Sequence, residues 1–68
     1  MPKFYVTNES TEDTFGATDN LQEAINVAQE VAKNGQVGDL VLVESSEGKG
    51  IKQFMRRSDG VVEEKEVA

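Results

Sequence analysis

The sequence predicts a single α+β domain of order β-(β)-α-β-β-β: an antiparallel sheet of four or five strands with one helix, at about residues 20–34, packed on one face. Three observations lead there. The chain has 68 residues, so one small domain spanning 1–68 is the upper limit, with no room for a second core. One segment carries apolar residues at helical spacing. The segments around it are short, β-branched or aromatic, and bounded by Gly, Asn, Asp and Ser.

Taking the elements in order, Lys3-Phe4-Tyr5-Val6-Thr7 reads as a strand, closed by the polar stretch Asn8-Glu9-Ser10-Thr11-Glu12-Asp13. Thr14-Phe15-Gly16-Ala17 reads as a short returning strand, weakened by Gly16. The helix follows, its apolar stripe made by Leu21, Ala24, Ile25, Ala28, Val31 and Ala32, with Gln22, Glu23, Asn26, Gln29, Glu30 and Lys33 turned to water. Asp19 with Gln22, or Asn20 with Glu23, has capping-box spacing. At the far end Lys33 suits the negative pole of the helix, and Asn34-Gly35 suits a left-handed cap. The alanine-rich stripe implies close approach to a sheet.

Asp39-Leu40-Val41-Leu42-Val43-Glu44 is a short apolar run, the pattern of a central strand buried on both faces. Ser45-Ser46-Glu47-Gly48-Lys49-Gly50 reads as a reversing loop, Gly50 to Arg57 as a strand, Ser58-Asp59-Gly60 as a hairpin turn, and Val61 to Val67 as its return. With Asp59-Gly60 as a two-residue turn, Arg56 falls opposite Glu63 and Phe54 opposite Lys65.

Composition then narrows function. There is no Cys and no His, which removes disulfides, the usual zinc, copper and iron ligands, and the usual base at neutral pH. Thirteen acids against seven bases give a formal net charge of −6, which repels nucleic acid and anionic membrane at long range. The start Met-Pro-Lys and the regular interruption by polar residues leave no run long enough for a signal peptide or membrane span. The expectation is a cytoplasmic protein with no direct nucleic-acid or membrane partner.

Four local patterns suggest chemistry and fall short of it. Glu9, Glu12 and Asp13 lack the alternating ligands, turn glycine and closing Glu of a calcium loop. Lys49, Lys52, Arg56 and Arg57 with Phe54 interleaved have the outline of a base-stacking strand, but Glu63, Glu64 and Glu66 on the next strand neutralise them. Glu47-Gly48-Lys49-Gly50 is too short for a phosphate loop and precedes a strand, not a helix. Asn8-Glu9-Ser10 matches a glycosylation acceptor only by composition. The carboxylates of the last strand lack the concave, partly dry setting that acid–base catalysis needs.

These readings predict a protein that is not an enzyme, with no catalytic residue, cofactor or metal. One helix covers only one face of such a sheet, so the other face, or an edge strand, is expected to bind protein, either a partner or a second copy in a homodimer. The residues predicted to carry that contact are Tyr5, Val41, Val43, Phe54 and Arg56. The alternative is an acidic inhibitor or nucleic-acid mimic that occupies a basic cleft, using Glu9, Glu12, Asp13, Glu63, Glu64 and Glu66 in place of phosphates.

Overall fold

The computed structural model describes residues 3–67. Its elements run β1 (Phe4–Asn8), β2 (Asp13–Thr18), α1 (Leu21–Asn34), β3 (Leu40–Ser45), β4 (Gly50–Arg56) and β5 (Val62–Glu66). The strands form one antiparallel sheet in the order β2-β1-β3-β4-β5, and α1 packs on one face of it. The helix crosses from edge strand β2 over β1 and delivers the chain to β3.

Each junction has a chemical cause. Asn20 caps α1, its Oδ1 accepting the Glu23 N–H at 3.1 Å, while the Thr18 hydroxyl oxygen accepts the Asn20 N–H. Lys33 occupies the last turn. Gly35 ends the helix with extended backbone, φ −83°, so the left-handed cap expected of Asn34-Gly35 does not form. Glycine is needed there for space instead: a β-carbon would sit 3.1 Å from the Val31 carbonyl oxygen and 3.2 Å from Asp39 Oδ2.

The core lies between helix and sheet. Ala24, Ala28 and Ala32 are fully buried against Val6, Val41, Val43 and Phe54, and Ile25 completes the contact. Small side chains on the helix let its backbone come close, so the larger sheet residues fill the layer. Val27 also packs at the margin of this core, beside Val31.

Strand β3 differs from the expected two-sided burial. Val41 and Val43 have no exposed surface, whereas the alternate residues Leu40 and Leu42 are only half-buried, because no second layer covers them.

The β4–β5 turn also differs from expectation. The Arg57 N–H donates to the Val61 carbonyl and the Gly60 N–H to the Arg57 carbonyl, with Gly60 at φ 86°. The loop therefore has three residues, Ser58-Asp59-Gly60, and closes through a left-handed glycine. One extra loop residue shifts the register: Phe54 faces Glu64 and Arg56 faces Val62, not Lys65 and Glu63.

Candidate functional site

Strand alternation divides the sheet into two chemically distinct faces. Phe4, Val6 and Asn8 of β1, Val41 and Val43 of β3, and Lys52, Phe54 and Arg56 of β4 point to the helix side. Tyr5, Thr7, Leu40, Leu42, Glu44, Gln53, Met55, Glu63 and Lys65 point to the uncovered side.

On that uncovered face the apolar groups cluster. Tyr5, Leu40, Leu42 and Met55 are each half-buried by their neighbours in the sheet. Val67, 50% exposed, lies over Gly50: a β-carbon there would be 3.0 Å from Val67 Cγ1 and 3.6 Å from Leu42 Cδ1. A depression of ≈ 240 Å³ opens across β3, β4 and β5, floored by Leu40, Gln53 and Met55 and edged by Glu63 and Lys65. The face is thus an apolar centre with charges of both signs at its margin.

The sequence-predicted contact residues divide between the two sides. Tyr5 stands on the uncovered face. Val41, Val43 and Phe54 are fully buried beneath α1, which corrects their expected place on the open surface. Arg56 is on the helix side too, where its Nη1 donates to the Gly35 carbonyl at 2.6 Å, against the carbonyl end of α1. Its Nε is buried without a hydrogen-bond partner.

The misassignment has a physical origin. A helix is only about 10 Å across, so it shelters one large side chain of β4, and the flanking Lys52 and Arg56 reach around it. Lys52 pairs with Glu64 at 3.0 Å. Phe54 between two bases therefore looks like a surface strand in sequence and is a core residue in space. Leu40, Leu42, Met55 and Val67 were the residues sequence reasoning missed; the alternation was legible, but both parities of β3 are apolar and do not declare which side is covered.

The other sequence patterns resolve locally. Asn8 is buried, its Oδ1 accepting the Ser10 and Thr11 N–H groups and its Nδ2 donating to Asp39 Oδ2, so it is not presented as a glycan acceptor. The Gly48 and Lys49 amides both donate to Ser45, which makes residues 45–50 a closed hairpin turn rather than an anion cradle. Thr11 Oγ1 donates to the Asp13 carboxylate. Arg57 pairs with Asp59 and Glu63. The acids of the mimic reading separate into two groups: Glu9, Glu12 and Asp13 beside edge strand β2, and Glu63, Glu64 and Glu66 on the opposite edge, β5. Among the described residues no cluster of three metal-ligating side chains occurs, and no helix is long and apolar enough to cross a membrane.

Set against known protein families, characterised proteins and solved structures, the chain matches none of them.

Proposed function

We propose that the protein is a non-enzymatic interaction module that associates with a second copy of itself through the helix-free face of its sheet. The observation that carries this reading is the gathering of Tyr5, Leu40, Leu42, Met55 and Val67 on a face that no other layer covers. Contiguous apolar surface of this kind is what association removes from water.

Two further features favour a copy of the same chain. Glu63 and Lys65 stand two residues apart at the margin of the patch, so a face-to-face pairing whose two-fold axis runs perpendicular to the strands, laying β5 against β5, can set the Lys65 of each copy beside Glu63 of the other. The sheet edges are also poor alternatives. In β2 a register shift against β1 places Phe15 and Gly16 opposite Val6, with Gly16 at φ 77°, and such a bulge twists an edge away from pairing. The outward edge of β5 carries Glu63, Glu64, Lys65 and Glu66 in succession, a charged guard against strand addition. The non-enzymatic part of the reading rests on the absence of His and Cys and on the exposure of the only two charged groups that line the open-face depression.

Sedimentation equilibrium tests the proposal. The wild-type chain is expected to show a reversible monomer–dimer equilibrium in the micromolar range, and Leu42→Glu, which puts a charge at the centre of the patch, is expected to be a folded monomer. A strictly monomeric wild type, or a Leu42→Glu variant that dimerises as tightly, overturns it.

A further inference from the structure

We propose that the flank of α1 beside β2 is a docking groove for a basic amphipathic helix of a partner protein. Two shallow depressions meet there. One, of ≈ 330 Å³, runs along the helix over Val27 and Val31 between Glu23, Asn26, Glu30 and Asn34. The other, of ≈ 110 Å³, lies between the helix and β2 on Phe4, Phe15, Ala17 and Val27. They share Glu23 and Val27, so the floor is continuous from Phe15 to Val31.

The chemistry of the lining selects the occupant. The floor is apolar and includes Phe15, which is 43% exposed. The charged groups on the rim are Glu23 and Glu30, neither of which has an ion-pair partner among the described residues, and no Lys or Arg lines either depression. An apolar floor under unpaired acids fits a segment with apolar anchors flanked by Lys or Arg. From Glu23 to Asn34 the helix rises about 16 Å, enough to align about three turns of a partner helix, ridge into groove. A strand is a worse fit, because β2 is bulged where a strand would add. A second copy of α1 is a poorer occupant, since it would add Glu23 and Glu30 to a rim that already carries the same two acids and no base. An anionic lipid surface is repelled for the same reason. The groove is on the helix side of the sheet and the proposed self-association surface is on the other, so neither inference depends on the other.

The test uses the full chain, labelled with nitrogen-15, and a synthetic amphipathic helix of Leu and Lys as the probe. Amide shifts are expected to concentrate at Gly16, Val27 and Val31, in the wild type and in the Leu42→Glu variant alike. Replacing the rim acids together, Glu23→Gln with Glu30→Gln, is expected to weaken binding about fivefold, the scale of two exposed ion pairs. Removing the same charge elsewhere, Glu9→Gln with Glu12→Gln, is expected to leave binding within about twofold. All four sites are exposed, and circular dichroism checks that each variant folds. Equal weakening by the two double variants would show that bulk charge alone attracts the probe, and it overturns the proposal. So do shifts centred on Leu40 and Met55, or no binding at all.

Discussion

At the scale of single residues, the most consequential polar group is Asn8. It is 5% exposed, and one side chain links three pieces of backbone: the end of β1, the turn at Ser10 and Thr11, and the approach to β3 through Asp39. Asp39 in turn accepts the Gln36 N–H, so the β1–β2 turn and the α1–β3 loop are tied at one point. Buried hydrogen-bonding groups are expensive to orphan. Asn8→Ala is expected to destabilise the fold by about 2 kcal/mol, read as a lower urea midpoint with an unchanged slope. In the sequence Asn8 reads only as the first residue of a polar turn. Its partner is 31 positions away, and no local pattern announces a contact at that separation.

At the scale of elements, the β4–β5 hairpin shows how one residue decides a face. A two-residue and a three-residue loop are both compatible with Ser58-Asp59-Gly60, but they place opposite halves of β5 on the helix side. The left-handed Gly60 selects the longer loop, and with it the Lys52–Glu64 and Arg57–Glu63 pairs. Both pairs are at the surface and contribute at most about 1 kcal/mol each, so turn geometry rather than ion pairing sets the register. A β-carbon at Gly60 would meet nothing within 4 Å, which isolates the backbone term. Gly60→Ala is expected to cost about 1 kcal/mol in thermal or chemical denaturation without displacing any packed group. The helix was legible almost to the residue, since its stripe and its Asn20 cap are local signals. Its C-terminal contact with Arg56 was not, because Arg56 is 21 positions beyond Gly35.

At the scale of the whole molecule, a single helix on a five-stranded sheet gives a thin body, 38 × 20 × 17 Å. A chain of this length buries too little surface for a large stability margin, and covering the second face of the sheet is the obvious way to extend the core. If two copies pair through that face, association and folding are linked by mass action. The melting temperature of the wild type is then expected to rise with protein concentration, while that of Leu42→Glu stays flat; differential scanning calorimetry across a concentration series reads the difference. A wild-type midpoint independent of concentration would count against pairing through this face.

Periodicity, turn residues and capping spacing by themselves determined the order of elements along the chain, the helix and the meander of β3, β4 and β5, while the count of four or five strands and the edge positions of β2 and β5 were decided by the tertiary structure. The former are local properties, governed by backbone sterics and by alternation within a few residues. Which face of each strand meets the helix was decided only in three dimensions. In β3 both parities are apolar, and in β4 the buried Phe54 is flanked by Lys52 and Arg56, so polarity does not mark the covered side. Placement of α1 over Val41, Val43 and Phe54 broke that symmetry and left Leu40, Leu42 and Met55 on the outside, because alternate side chains of a strand point to opposite faces and the single helix covers only one of them.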